Sequence, residues 1–263
     1  MQRFSEYFIF INRNIPKNSQ SMKNYLLFPI VAIVISFTTF SCDDSNSGDY
    51  LFDIATVEIQ DDGTFALVLD NGVRLWPEAS DVRYIGKNRQ RVFVNYTVLS
   101  EKYNGENYSI KINDIWDILT KTPINLTTQN ADSIGNDPVK VRSMWIGNDF
   151  LNVDFFFNYG GIRPHAINLV KNTLTPPPDD EKIHLEFRHN SYQSPSTRLY
   201  EGFVCFDLKS LRVNTADSVQ LSIKVKDWDG EKIFDITYYY NNTTLKSLKG
   251  EKSIPAISSS EYY

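Results

Sequence analysis

The three histidines are the residues of this sequence whose type could most directly build a metal site. They are His165, His184 and His189, and a zinc site would need their imidazoles to converge with carboxylates or thiolates. If residues 183–189 form a strand, alternate side chains face opposite sides, so His184 and His189 point apart. We therefore expect no metal site here, with His184 on a polar outer face and His189 hydrogen-bonded in the core.

A second candidate for cation binding is Asp227-Trp228-Asp229-Gly230, which places two carboxylates beside a glycine as calcium loops do. It lacks the third oxygen ligand and the distant glutamate of an EF-hand loop. A hairpin turn explains the same residues without an ion. The sequence therefore predicts neither a metal nor a cofactor.

Signatures of covalent catalysis and nucleotide binding are missing from the sequence. It contains no G-x-S-x-G, H-E-x-x-H, C-x-x-C, G-x-x-x-x-G-K or G-x-G-x-x-G. Cys205 lies in the apolar run 203–206, where it would be a small core side chain rather than a nucleophile. Two carboxylates could still meet in space ~5–10 Å apart, as in a glycosidase. Since no such pair can be identified, we predict no catalytic residues and no enzyme.

The N-terminal part of the sequence is organised like a secretory signal. An apolar run at residues 25–40 follows Met22 and ends just before Cys42. The run is shorter than the roughly 20 residues that a membrane-spanning helix needs, and Pro29 weakens it further as a helix. We expect residues 1–41 to be a signal peptide, and translation that starts at Met22 would account for the residues before it.

Cys42 resembles the lipidated cysteine of bacterial lipoproteins. It follows Thr39-Phe40-Ser41, and Ser-Cys is the looser form of the lipobox common in Bacteroidetes. An acylated Cys42 would anchor the mature chain to a membrane without spanning it. The alternative is a free cysteine at an ordinary cleavage site.

The residues after Cys42 help to predict the location of such an anchored protein in the cell. Residues 42–50 are polar and predict a flexible tether. Asp43 and Asp44 resemble a short version of the surface-export signal of Bacteroidetes lipoproteins. We expect a lipid-anchored protein of the outer membrane, exposed at the cell surface.

The overall charge argues against nucleic acid as a partner. The 263-residue chain has a net charge of −5. Removal of residues 1–41 takes away four basic residues and one acidic residue, which brings the charge to about −8. Neither value suits a protein that binds a phosphate backbone. We expect an unknown protein or glycan ligand, besides the membrane lipid that holds the anchor.

Strand signals dominate the mature sequence, starting with two tight turns. The Asp-Gly pair at 62–63 and the Asn-Gly pair at 71–72 separate three β-rich runs, because such pairs tolerate the positive φ of hairpin turns. Residues 90–100 add a fourth strand. Residues 108–119 add a fifth segment, which is ambiguous between strand and short helix. Five strand-like segments within 51–121 suit a small barrel.

Seven further strand-like segments follow in the second half of the chain. Their spacing predicts an antiparallel β-sandwich over residues 138–251. The polar stretch 122–137 contains Pro123 and Gly135, is followed by Pro138, and indicates a linker. The Ser-rich residues 252–263 indicate a flexible tail. The predicted fold class is therefore all-β, a barrel followed by a sandwich.

Several residue blocks of the mature chain resemble the NigD-like lipoproteins of Bacteroidetes, in the order that the family has them. The resemblance implies an N-terminal OB-fold domain and a C-terminal β-sandwich, and it implies no catalytic residues. The founding member is named from a bacteriocin locus as an immunity candidate. The blocks include Val68-Leu69-Asp70-Asn71-Gly72, Arg91-Val92-Phe93-Val94-Asn95-Tyr96, Gly135-Asn136-Asp137-Pro138, Met144-Trp145-Ile146 and Phe187-Arg188-His189-Asn190.

An OB-fold directs attention to aromatic and basic residues of the first half. OB-folds bind oligonucleotides and oligosaccharides through stacked aromatics and a basic groove. The alternative is that the aromatics fill the barrel. The candidate aromatics are Tyr84, Tyr96, Tyr103, Tyr108, Trp76 and Trp116, and the candidate basic residues are Arg74, Arg83, Lys87, Arg89 and Arg91.

These expectations combine into a NigD-like outer-membrane lipoprotein that binds a ligand at the cell surface without catalysis, with bacteriocin immunity as one version. The alternative is a structural envelope or assembly partner whose edge strands pair with another protein. A hydrolase with paired carboxylates is a third hypothesis. Ser133 and Ser218 lie in Asp-Ser-aliphatic triplets that resemble the O-glycosylation motif of Bacteroidetes.

Overall fold

The computed structural model describes residues 50–102, 107–161, 163–195 and 197–240. The predicted signal peptide, the predicted tether up to residue 49, and residues 241–263 with the predicted tail lie outside the described residues. Within the described ranges, no helix has the length and apolar character needed to cross a membrane.

Five strands close into a barrel in the order β1-β2-β3-β5-β4. The pairing of β3 with β5 is parallel and the other pairings are antiparallel. The ambiguous segment at 108–119 is therefore a strand over most of its length. The barrel strands are β1 (Leu51–Ile59), β2 (Phe65–Leu69), β3 (Arg74–Ser80), β4 (Arg91–Lys102) and β5 (Asn107–Asp117).

The two predicted hairpin turns join β1 to β2 and β2 to β3. Gly63 and Gly72 adopt φ values of 82° and 87°, which L-residues with a side chain rarely adopt. The two hairpin turns predicted from the Asp-Gly and Asn-Gly pairs are thus confirmed by the backbone conformation. It fixes the register that sends alternate side chains of β1 and β2 into the barrel.

The remaining strands form two sheets packed face to face. One sheet has the order β14-β13-β11-β10-β7 and the other has the order β6-β12-β9-β8. A core rich in phenylalanine, including Phe155, Phe157, Phe187 and Phe206, lies between them. The strands are β6 (Leu119–Lys121), β7 (Ile124–Leu126), β8 (Lys140–Gly147), β9 (Phe150–Tyr159), β10 (Ala166–Asn172), β11 (Ile183–Asn190), β12 (Arg198–Asp207), β13 (Ser218–Asp227) and β14 (Gly230–Tyr239).

The all-β class with a barrel followed by a sandwich is confirmed, but the strand directions are mixed. We expected antiparallel pairing throughout the sandwich. The pairs β6/β12, β7/β10 and β11/β13 are instead parallel. Direction is set by how the chain crosses between the sheets, and local sequence patterns do not report on it.

The predicted linker at 122–137 is wrong as a description of that segment. It contributes strand β7 to one sheet and the short helix α1 (Ala131–Ile134), and residues 119–121, assigned to the barrel, cross over as β6. Leu126 and Ile134 are buried together against Val170. These few apolar side chains hold a mostly polar stretch on the sandwich. The polar composition of the stretch did not indicate this packing.

Candidate binding surface at the domain junction

The barrel is joined to the outer face of the four-stranded sheet by a buried arginine. Arg91, the first residue of β4, is fully buried and forms a bidentate ion pair with Asp70 at 2.7 and 3.0 Å. Its Nη2 also donates to Asn152 Oδ1 of β9 at 3.0 Å, and its Nη1 donates to Thr56 Oγ1 at 2.9 Å. One guanidinium thus satisfies acceptors on both sides of the junction.

Backbone and aromatic contacts complete this junction. The side-chain amide of Asn148 donates to the carbonyl oxygens of Val68 and Leu69 at 3.1 and 2.7 Å. A Cβ at Gly147 would lie 2.2 Å from Asp70 Cγ, so only glycine allows this approach. The Arg89 guanidinium lies 4.8 Å from the centre of the Phe150 ring. The contacts fix the orientation of the barrel on the sandwich.

Five aromatic rings run in sequence across this junction, and we call them the aromatic row. They are Trp116, Phe52 and Phe93 of the barrel and Phe203 and Trp145 of the sandwich. In that order, ring centroids are separated by 6.3, 5.6, 5.1 and 5.7 Å. The row connects three barrel strands with two sandwich strands.

The barrel end of the row is more exposed than the sandwich end. Phe52 is 55% exposed and Trp116 is 38% exposed, while Phe93, Phe203 and Trp145 are half-buried. Val92 and Ile115, next to Phe93 and Trp116, lie in the barrel core, and Val204, next to Phe203, lies in the sandwich core, so alternation places these row members on the outer faces. Aromatic side chains held partly exposed in this way are typical of binding surfaces.

Charged side chains border the sandwich end of the row. Arg142 of β8 donates to Asp154 Oδ2 of β9 at 2.8 Å and to Glu201 Oε1 of β12 at 2.5 Å. Asp154 is paired in register with Phe203, so these groups lie beside the row. Burial raises the pKa of Asp154, although Arg142 opposes that effect. The border offers hydrogen-bond donors and acceptors next to aromatic rings.

Asp154 and Glu201 are a carboxylate pair beside the row that bears on the hydrolase hypothesis. Both carboxylates bond to the guanidinium of Arg142, which therefore lies between them. A glycosidase leaves the space between its two carboxyl groups to the substrate. The arrangement suits recognition of a polar ligand better than acid–base chemistry.

Most of the aromatics that we considered as OB-type ligand contacts serve the barrel instead. Tyr96 is buried in it and Tyr108 packs against the same core. The Tyr84 hydroxyl donates to Asp117 at 2.8 Å, and Trp76 Nε1 donates to Asn107 at 3.1 Å. Of the candidate set, Trp116 lies on the aromatic row. Tyr103 lies outside the described residues.

The predicted basic candidates are divided between ion pairs and open surface. Arg74 pairs with Glu58, while Arg89 and Arg91 are held in the junction. Arg83 and Lys87 are exposed. The arginines nearest to the row are therefore engaged with carboxylates of the chain itself.

The histidines separate as expected, but one of them has a partner that the sequence analysis missed. His184 Nε2 lies 2.7 Å from Asp180 Oδ1 near the surface, whereas His189 is buried. His189 Nε2 lies 2.8 Å from Nδ1 of the buried His165. An expected antiparallel pairing of residues 166–172 with residues 183–190 could have predicted that His165 and His189 lie close together.

The histidine pair is incompletely hydrogen-bonded. Within the described parts of the chain, His165 Nε2 and His189 Nδ1 have no hydrogen-bond partner, so the expectation of a satisfied core histidine is only half met. Burial lowers the pKa of His189 to about 4 and lowers that of His165 as well. No group of three or more metal-binding side chains occurs in the same ranges.

The Asp227–Gly230 sequence forms the predicted hairpin turn between β13 and β14. Lys140 Nζ lies 3.2 Å from Asp227 and 2.5 Å from Asp229, and Lys232 Nζ lies 3.1 Å from Asp227. Ammonium groups thus take the place next to these carboxylates that a calcium ion would need.

The two serines of the O-glycosylation motif lie in different surroundings. Ser133 is exposed on α1, where its hydroxyl donates to the Asn130 carbonyl at 2.9 Å. Ser218 is half-buried as the first residue of β13. Cys42, the predicted lipid attachment residue, lies outside the described residues.

Cys205 is expected to be chemically inert in the folded protein. It is fully buried at the junction, where its thiol donates to Asn152 Oδ1 at 3.1 Å. Burial raises the pKa of this thiol to about 12, so almost no thiolate is present at neutral pH. In a Cys42→Ala variant we expect no reaction with a thiol reagent until guanidinium chloride unfolds the chain. Rapid stoichiometric labelling of the folded protein would contradict this placement.

Comparison with known families matches both halves of the chain. Residues 54–118 match the model of the NigD-like N-terminal OB domain. Residues 122–238 match the model of the NigD-like C-terminal beta sandwich domain. No curated protein matches the chain significantly.

Solved structures similar to this chain come from species of Parabacteroides and Bacteroides. A protein from Parabacteroides distasonis, described as toxin-related, is 33% identical over 77% of this chain and 100% of its own, with a TM-score of 0.65. A protein of unknown function from Bacteroides vulgatus is 34% identical over 72% and 91%, with a TM-score of 0.63. A NigD-like immunity protein from Bacteroides caccae shares the fold at 20% identity over 73% and 99%, with a TM-score of 0.58.

Proposed function

The chain belongs to the NigD-like family, and we propose that it is a lipid-anchored, non-catalytic binding protein of the outer membrane. The observation that carries this proposal is the aromatic row. It is partly exposed, it is continuous across both halves of the chain, and it is bordered by Arg142 and two carboxylates. Aromatic and arginine side chains dominate the energetics of binding surfaces.

The junction supports the same proposal because it fixes the row before a ligand arrives. Arg91 and Asn148 hold the barrel against the sheet, so the rings of Phe93 and Phe203 stay in contact. A surface that is ordered beforehand loses less conformational entropy on binding. We infer that ligand contacts are made by both halves together.

The anchor is the second part of the proposal. Cys42 ends the apolar signal segment in a Ser-Cys lipobox, and several acyl chains hold a protein stably on a bilayer. Cys42→Ala should move the protein from the membrane fraction to the soluble fraction. Labelling of intact cells with a membrane-impermeant reagent tests surface exposure, and labelling seen only after permeabilisation would contradict it.

The ligand class that we propose is a glycan or a protein, since aromatic faces beside carboxylates and a guanidinium suit either. The test compares wild type, Trp145→Ala and the matched control Trp228→Ala, whose tryptophan lies at the β13–β14 turn, on a glycan array. We expect binding that Trp145→Ala abolishes and Trp228→Ala retains. Equal binding by all three would contradict a role for the row.

Crosslinking in cells tests the protein alternative. Recovery of a toxin through the row would support binding. Recovery of one abundant envelope protein through the edge strands β8 or β14 would favour a structural role in the envelope.

Bacteriocin immunity is the finer version of this function. The Bacteroides caccae protein of the same fold is described as an immunity protein, and capture of a toxin at the surface would use the same row. Deletion of the gene should raise bacteriocin sensitivity, and Trp145→Ala should fail to restore resistance where Trp228→Ala succeeds. Unchanged sensitivity after deletion would contradict immunity.

A further inference from the structure

One end of the barrel exposes a group of large apolar side chains, which we call the apolar end. Its members are Tyr50, Leu51, Val98 and Leu99, and each is between 38% and 72% exposed. Most of the other exposed large apolar residues in the described ranges, such as Ile85 and Leu174, are scattered. Large apolar side chains exposed together at one end of a domain are typical of a surface that is covered in the working state.

The register of the strands explains why these residues lie at the same end. Leu51, the first residue of β1, is paired with Tyr96 of β4. β4 continues past that point to Lys102, so Val98 and Leu99 extend beyond the start of β1. The chain also enters the barrel here, at Tyr50. The apolar end is thus the part of the barrel that is nearest to the preceding tether.

We propose that the apolar end docks into the interfacial region of the bilayer that holds the lipid anchor. This inference rests on the proposed acylation of Cys42. Tyr50 is eight positions after Cys42, and an extended chain of that length spans at most about 29 Å. The tether therefore keeps the apolar end close to the bilayer surface, where tyrosine and other aromatic side chains are favoured.

The charges around the apolar end indicate apolar insertion rather than electrostatic attraction. None of its four members is charged. The nearby Asp53 carboxylate accepts a hydrogen bond from the Tyr96 hydroxyl at 2.8 Å, and Lys111 pairs with Asp81 at 2.7 Å. The tether adds acidic residues, which anionic headgroups would repel. Docking is therefore expected on neutral phosphatidylcholine and in the presence of high salt.

Docking at this end leaves the ligand surface of the sandwich in water. Arg91 at the junction and Leu99 at the apolar end are eight residues apart on β4, roughly 26 Å along the strand. Phe203 and Trp145 lie on the junction side of that strand. The barrel would then act as a spacer that holds the sandwich away from the lipid.

Site-directed spin labelling of the lipidated protein tests the docking. Leu99→Cys carries the label, and Ile233→Cys, exposed on β14 in the five-stranded sheet, is the matched control. Cys205 is buried, and the Cys42 thiol carries the lipid, so a single reactive thiol remains in each variant. The protein is reconstituted on phosphatidylcholine vesicles, and collision rates with oxygen and with a water-soluble nickel chelate are measured.

We expect the ratio of oxygen to nickel collisions to be several times higher at position 99 than at position 233, and unchanged in high salt. Adding Leu51→Ser and Val98→Ser should lower the ratio at position 99 to that of the control. Protein that floats with the vesicles but shows equal ratios at both positions would overturn the docking alone. Spin–spin broadening at position 99 would mean that a second copy covers this end, which also overturns it. Protein that does not float with the vesicles would overturn the anchor, and the docking with it.

Discussion

Replacing Arg91 with alanine should lower the free energy of unfolding by about 3–5 kcal/mol, the cost of leaving a buried charge network without one partner. The guanidinium bonds to Asp70, Asn152 and Thr56 and is fully buried. Its loss leaves acceptors at the junction without a donor. We expect urea unfolding to separate into two transitions, because the barrel and the sandwich lose their strongest connection.

The matched control for this prediction is Arg74→Ala. Arg74 also pairs with one carboxylate, Glu58, but both side chains are about 40% exposed. An exposed pair contributes only ~0–1 kcal/mol. The double variant Arg91→Met/Asp70→Asn should recover part of the loss, since it removes both charges. If Arg91→Ala and Arg74→Ala unfolded at the same urea concentration, the junction would not depend on Arg91.

Acidification should destabilise the protein through the buried histidine pair. Burial and the neighbouring His165 lower the pKa of His189 from 6.5 to about 4. Above pH 6.5 the imidazole is neutral in both the folded and the unfolded chain, so it has no effect. Between pH 6.5 and 4, His189 binds a proton in the unfolded chain but remains neutral in most folded molecules. Stability should therefore fall by about 2 kcal/mol at pH 5 and about 3 kcal/mol at pH 4.

Two variants separate this effect from the titration of carboxylates. His165→Leu/His189→Leu replaces both partners by apolar side chains, and its stability should depend less on pH between 7 and 4.5. His184→Gln, which changes the histidine nearest to the surface, should keep the dependence of the wild type. The measurement is the urea midpoint as a function of pH. Identical slopes in all three proteins would contradict the assignment.

The parts of the fold that depend on local chemistry could be predicted from the sequence. Gly63 and Gly72 identified two hairpins because the turn itself requires a positive φ. Alternation identified His189 as inward-facing and His184 as outward-facing. The mixed strand directions could not be predicted, since they depend on crossings such as that of Leu119–Lys121 onto β12.

The candidate site could be predicted only in part. Trp116 was identified as a candidate aromatic, but its neighbours in the row come from four other strands. The alternation of inward and outward side chains along β8 is interrupted before Trp145, because the register of β8 shifts between Val141 and Ser143. The side on which Trp145 lies therefore could not be predicted from its neighbours in sequence. Arg91 was considered for a basic groove and is instead a buried structural residue. Its partner Asn152 lies 61 positions away, a separation that no local pattern reports.

The most direct test of the proposed binding surface is photocrosslinking in intact cells with a benzophenone side chain in place of Trp145 or of Trp228. Benzophenone reacts with C–H bonds of proteins and glycans alike, so the ligand class need not be known. The proposed function predicts a discrete adduct at position 145 and none at position 228. No adduct at position 145, or the same adducts at both positions, would contradict a ligand surface on the aromatic row.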